Sequence, residues 1–288
     1  MRIDGMLYTN ILRMHIKGAD MAKIIAIANQ KGGVAKTTTT QNLAVALSEK
    51  GKKVLMIDFD SQASLAVAVG LEPLDFENNC IVQVMEDPKS GRSKSIRECI
   101  QATPDGKAWI VTSIIDLANL EWQIFSRLDR NLILARALAP VAEDYDYILI
   151  DCPPALGILT INAFSCADGV LVPSTTEYLS YRGLANLEDS IDEVKELINP
   201  KLEIYGVIAT KHERTTKSRQ ILDLMLDNYR VLAVIKKKTE AIAGIYEGKS
   251  VVELLPESDI TQAYKDIAEM VVSGEFTELR EWRWGGER

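Results

Sequence analysis

The sequence predicts an α/β fold: one doubly wound, mainly parallel sheet in a single domain. Three observations predict it. Short apolar runs of strand length recur, and two of them end on a carboxylate; continuous apolar runs suit strands buried on both faces. Helical patterns separate these runs, and strand–helix alternation builds parallel sheets. At 288 residues, 47% hydrophobic and 26% charged, the chain can bury a large core, and no internal repeat or low-complexity linker divides it.

Taken in order, residues 23–28 read as the first strand and 42–47 as part of a helix packed on the sheet, with Gly51 as its stop. Residues 53–58 form the second strand and deliver Asp58, Phe59 and Asp60 at its carboxyl end. From 61 to 106 the chain reads as helical and looped, punctuated by Gly70, Pro73, Pro88, Gly91 and Pro104. A strand at 109–112 precedes helices at 116–125 and 131–139, the second ended by Pro140. Residues 147–150 run apolar into Asp151, and Pro153-Pro154 breaks the regular structure at once. A helix at 159–167 and a strand at 169–173 follow, then a helix at 181–198 whose Leu184, Leu187, Ile191, Val194 and Leu197 keep the 3–4 spacing. A strand at 204–209, a helix at 218–229, a strand at 231–235 and a helix at 261–272 complete a domain set at 21–273. Residues 1–20 are expected to be a leader. The alternative is a short amphipathic helix carrying Leu7, Ile11, Leu12, Met14 and Ile16. Residues 274–288 form a tail.

The chemistry gathers at Lys31-Gly32-Gly33-Val34-Ala35-Lys36-Thr37-Thr38, which sits between the first strand and the first helix. Strand, glycine loop and helix in that order make a phosphate cradle of the P-loop NTPase type: glycines admit an anion to the backbone amides, and the helix N-terminus adds a positive dipole end. The plainer reading is a glycine turn with incidental lysines. The match to the common G-x-x-x-x-G-K-[ST] pattern is incomplete, because Gln30 and Ala35 stand where glycines belong, and a second lysine, Lys31, lies five residues before Lys36.

Nucleotide hydrolysis needs a cradle, a metal, a positioned water and charge relief. Lys36 and the backbone from Gly32 to Thr37 supply the cradle, Thr37 a hydroxyl for Mg²⁺, and Asp151 a strand-end carboxylate for the metal or its water. Asp58 and Asp60 end the neighbouring strand, where ligands of open parallel sheets bind, so Asp58 is a further candidate for the metal and either can orient water. The plainer reading of both is strand-end capping. Lys31 need not reach its own nucleotide; it can reach across a dimer, as an arginine finger does.

Composition removes several classes. Four cysteines, Cys80, Cys99, Cys152 and Cys166, lack C-x-x-C spacing, and His15 and His212 are too few for a multi-histidine metal site. A net charge of −8 excludes a protein basic all over and leaves room for one basic face. No apolar run approaches the ~20 residues that span a membrane, and no secretory signal is recognisable, so a cytoplasmic location is expected.

K-G-G-x-x-K-T-T, Asp58-Phe59-Asp60 and Ile150-Asp151-Cys152-Pro153-Pro154 resemble the deviant Walker A ATPases of the ParA/Soj family. The similarity continues through residues 156–163 and returns at 248–251, 255–258 and 263–264. The resemblance implies an ATP- and Mg²⁺-dependent homodimer that binds DNA non-specifically, associates with the nucleoid and partners with a ParB-like centromere-binding protein. It places the signature lysine on Lys31, the P-loop lysine on Lys36, the magnesium hydroxyl on Thr37 and the catalytic aspartate on Asp60. The chain departs from the family at Ala35, commonly glycine, and in Asp58-Phe59-Asp60-Ser61-Gln62-Ala63-Ser64, where the family commonly has D-x-D-P-Q-G-N.

From 201 to 238 there are nine Lys/Arg against four Asp/Glu. Lys211, Arg214, Lys217 and Arg219 precede or open a helix, and Lys236, Lys237 and Lys238 end a strand, so these seven are the candidate DNA contacts; a solvated basic face is the alternative. Arg214 lies where the resemblance implies a DNA-contacting arginine, whereas Glu240 replaces the second arginine of the family's I-P-R-x-x-R segment. The alternative function is a MinD-like ATPase on a membrane. It would need an amphipathic basic helix, and the tail offers Phe276, Trp282 and Trp284 among three glutamates, so no stable membrane association is expected. An iron–sulfur-carrying dimer is a third class, disfavoured by the cysteine spacing.

Overall fold

The computed structural model describes residues 21–238 and 247–283. Residues 1–20, Glu240 and Trp284 lie outside the described residues. The elements in chain order are β1 (Lys23–Ile27), α1 (Lys36–Glu49), β2 (Val54–Asp58), α2 (Ser64–Ala68), α3 (Ile81–Met85), α4 (Ile96–Cys99), β3 (Ile100–Ala102), β4 (Trp109–Val111), α5 (Leu117–Phe125), α6 (Ile133–Leu138), β5 (Tyr147–Asp151), α7 (Ile158–Cys166), β6 (Gly169–Thr175), α8 (Tyr178–Leu197), β7 (Glu203–His212), α9 (Thr216–Asn228), β8 (Val231–Lys236), α10 (Val251–Leu254) and α11 (Asp259–Ser273).

One eight-stranded sheet runs in the order β3-β4-β2-β5-β1-β6-β7-β8. All pairings are parallel except β3 with β4. The two faces carry separate apolar layers. One holds Leu43, Leu47, Tyr264 and Ile267 from α1 and α11; the other holds Leu134, Phe164, Leu184 and Ile191 from α6, α7 and α8. With helices on both faces, the central strands β2 and β5 are buried at every position, which is why they read as unbroken apolar runs.

Three features escaped the sequence reading. β3 is a three-residue antiparallel edge strand, too short to carry a period. α10 is one turn held by a reciprocal capping box between Ser250 and Glu253. β6 continues through Pro173, where the sequence suggested a stop. Only the Gly169–Leu171 part of β6 pairs with β1, so beyond it one side of the strand has no ladder and the missing proline N–H costs nothing.

The register sets the site. Asp58 of β2 stands beside Asp151 of β5, and Ile27 of β1 stands on the other side of Asp151. Three adjacent strands therefore end level, and the loops that follow them share one edge of the sheet. β1 lies where the order turns, between β5 and β6, which is the topological switch point at which open sheets bind ligands.

Candidate nucleotide site

The phosphate loop is anchored from both ends. Asn29 is buried; its side chain donates to the Pro173 carbonyl (2.8 Å) and accepts from the Lys31 amide (2.9 Å). On the far side, the Thr210 hydroxyl donates to the Val34 carbonyl (2.9 Å) and the Lys211 ammonium to the Gly33 carbonyl (2.7 Å). Gly33 has φ 73°, a conformation open to glycine and strained for most other residues. Ala35 has φ 72° and Ala63 φ 51°, both left-handed, and each immediately precedes a helix. These are the two positions at which the resembled family commonly has glycine. The departure at Ala35 is therefore first a matter of backbone strain, of about 1–2 kcal/mol per residue.

Lys36 is 8% exposed, and its ammonium donates to the Lys31 carbonyl (3.3 Å). Burial lowers its pKa, opposed by the charge of Asp151. The Thr37 hydroxyl donates to Asp151 Oδ2 (2.7 Å), while Asp151 Oδ1 is buried with no hydrogen-bond partner. Burial pushes the Asp151 carboxyl up to about 7, partly offset by the Thr37 bond and by Lys36. An orphaned buried carboxylate oxygen beside a hydroxyl is a hard, oxygen-rich corner that suits Mg²⁺. Thr37 and Asp151 are thus brought together as the sequence suggested.

Asp58 and Asp60 part company. Asp58 is fully buried, and its Oδ2 accepts from the amides of Leu65 and Ala66 (both 3.1 Å) at the start of α2. Burial, reinforced by Asp151, raises its pKa well above the carboxylate range. Asp58 thus caps α2 through Oδ2, while among the described residues its Oδ1 accepts only from the Asp60 amide, at 3.4 Å. Asp60 lies in the loop beyond, partly exposed, and its Oδ1 accepts from the Gln62 amide (3.1 Å). Burial and, secondarily, the charge of Asp60 raise the pKa of Glu121 in α5.

Lys31 forms an ion pair within its own chain, to Glu177 at the start of α8. That hydrogen bond, followed by the charges of Lys31, Lys211 and Lys237, lowers the Glu177 pKa. Glu177, Thr210 and Asn29 were not legible as site residues; only their positions at strand ends could have pointed to them.

The candidate DNA residues divide. Lys211 sits on the phosphate loop. Arg214, Lys217 and Arg219 lie at the entry to α9, where Arg219 pairs with Asp223 (2.9 Å). Lys236 and Lys238 both reach Asp259, and Lys237 reaches Glu213. Carboxylates of this chain thus neutralise part of the local surplus. In the tail, Phe276 stacks on Tyr205 with ring centroids 4.3 Å apart, and Trp282 packs edge-on against His212 at 4.9 Å. Among the described residues, no helix is long and apolar enough to cross a membrane.

Residues 22–204 match the family model described as an AAA domain. The chain is similar to the sporulation initiation inhibitor protein Soj of Bacillus subtilis, with 35% identity over 257 residues that cover 88% of this chain and 99% of the relative. Among solved structures, it is similar to a Mycobacterium smegmatis protein named cobyrinic acid a,c-diamide synthase, bound to ADP and magnesium: TM-score 0.76, 32% identity, covering 90% of this chain and 98% of that one. A putative plasmid partition protein of Borrelia burgdorferi bound to AMPPNP has TM-score 0.74 and 25% identity, over 88% and 99% of the two chains.

Proposed function

The chain belongs to the ParA/Soj family of P-loop partition ATPases, and from that premise we propose that it hydrolyses ATP with Mg²⁺, dimerises when ATP is bound, and holds DNA without sequence preference. A ParB-like centromere-binding protein is the partner that would stimulate hydrolysis. The observation that carries the reading is the corner made by Thr37 and the unpartnered Oδ1 of Asp151 beneath a loop with two lysines. ADP with magnesium in the Mycobacterium smegmatis protein and AMPPNP in the Borrelia burgdorferi protein support the same cofactors here.

Thr37 and Asp151 would hold the magnesium, which neutralises charge on the phosphates. Lys36 contributes the second positive charge to the cradle. Asp60, free of helix-capping duty and at a partly exposed loop, orients the attacking water. Lys31 leaves Glu177 to reach the nucleotide of the second protomer. An exposed ion pair is worth at most about 1 kcal/mol, so exchanging it is easy. The same arithmetic lets DNA phosphates compete for Lys236, Lys237 and Lys238. The membrane alternative has little to work with: Phe276 and Trp282, the tail aromatics among the described residues, are packed on the domain.

The test is DNA binding by the wild type with ATP, with ADP and with neither, across a salt series. Binding with a steep salt slope only in ATP is expected. Asp60→Ala should bind ATP, hydrolyse it slowly and accumulate as a dimer. DNA binding indifferent to nucleotide would refute the switch, and an unchanged hydrolysis rate would move the water-orienting role elsewhere.

A further inference from the structure

Lys211 looks in sequence like one of a run of DNA-facing cations, but the fold treats it differently. β7 loses its regular pairing with β8 between Ala209 and His212. Within that break Lys211 has φ 51°, a left-handed backbone that a residue with a Cβ adopts only at a cost. The break throws its ammonium 2.7 Å from the Gly33 carbonyl, while the buried Thr210 next to it donates to the Val34 carbonyl. Two consecutive loop carbonyls are therefore held by two consecutive residues of one strand end.

The described residues contain no cis peptide. Across a trans peptide the carbonyl and the following N–H point in opposite directions. Drawing the Gly33 and Val34 carbonyls towards β7 turns the N–H groups of Val34 and Ala35 the other way, towards the side of the loop where phosphate oxygens would sit. A loop already turned this way need not be ordered when nucleotide arrives.

The geometry points to Lys211, with Thr210, as an outer clamp that presets the phosphate loop for nucleotide: a positioning residue of the ATP site rather than a DNA contact. This rests on the nucleotide-binding reading above.

The experiment is calorimetric titration of Mg-ADP into wild type, Lys211→Met, Lys211→Arg and Thr210→Val, with melting temperatures of each unliganded protein. Wild type that takes up no ADP would remove the parent reading, and the clamp with it, before any variant is made. With wild-type binding established, Lys211→Met should weaken ADP roughly fivefold or more, and Lys211→Arg should restore most of it. Thr210→Val should shift affinity in the same direction. In steady state the loss should appear in KM with kcat little changed, because the clamp acts on ground and transition states alike. ADP affinity untouched in Lys211→Met overturns the proposal, whether or not its DNA salt slope falls by about one. If Lys211→Met also lowers the unliganded melting temperature, the arginine variant decides: unrestored affinity overturns the clamp.

Discussion

Replacing Asp58 separates two readings of a buried carboxylate. In the structure Asp58 Oδ2 is the acceptor for two buried amides, of Leu65 and Ala66, each at 3.1 Å. A buried amide left without a partner costs about 1–3 kcal/mol, so Asp58→Ala should lower stability by roughly 2–4 kcal/mol. For a domain of this size that is a fall in melting temperature of roughly 5–12 °C. Asp58→Asn keeps one carbonyl oxygen for the two amides. It also removes a charge that burial disfavours: the folded pKa is raised, so the charged form of the wild-type group carries a penalty that asparagine lacks. The two effects oppose, and the Asn variant should lie within about 1 kcal/mol of wild type. The assay is calorimetric melting of the unliganded proteins, followed by ADP titration with and without Mg²⁺. Asn melting like wild type but losing the magnesium dependence of ADP binding would make Asp58 a metal ligand and refute the reading of it as a cap alone. An Ala variant as stable as wild type would refute it independently.

Two further outcomes follow from strain and charge. Ala35→Gly and Ala63→Gly should each raise stability by about 0.5–1 kcal/mol, the left-handed strain relieved less the extra freedom of glycine in the unfolded chain; lower melting temperatures would show that neighbouring packing, not φ, dominates there. Partial burial pushes the Asp259 carboxyl up, but hydrogen bonds from Lys236 and Lys238 outweigh it and hold the pKa at about 2. Its stabilising contribution is therefore present above the unfolded value near 4 and lost as pH falls from about 4 through 2. Asp259 is 42% exposed, which limits the contribution to about 1 kcal/mol. In urea titrations, Asp259→Asn should be weaker than wild type at pH 6 and approach it at pH 2.5; a gap that stays constant with pH would assign the effect to packing.

The local sequence determined the longer elements and their order, because burial on two faces writes continuous apolar runs and burial on one writes a 3–4 spacing. Tyr147 to Asp151 and the stripe from Leu184 to Val194 were legible for that reason, although Leu197, which continues the spacing, is exposed at the end of α8. The Thr37–Asp151 corner was legible too, since a strand–loop–helix signal and a strand-end carboxylate each carry their own local mark. What chain distance hid was which partner each polar atom takes. Asp58 and Asp60 look equivalent in sequence, and only the position of α2 makes one a cap and leaves the other in the loop. Lys211 looks like its basic neighbours, and only the break at the end of β7 carries it 178 positions back to the phosphate loop. Lys31 reads in sequence as a lysine that reaches across a dimer, and its partner within its own chain, Glu177, is 146 positions away. Hydrophobic periodicity is a property of neighbours along the chain, whereas hydrogen bonds and ion pairs act over about 3 Å in space; the tertiary structure alone decides which distant groups come that close.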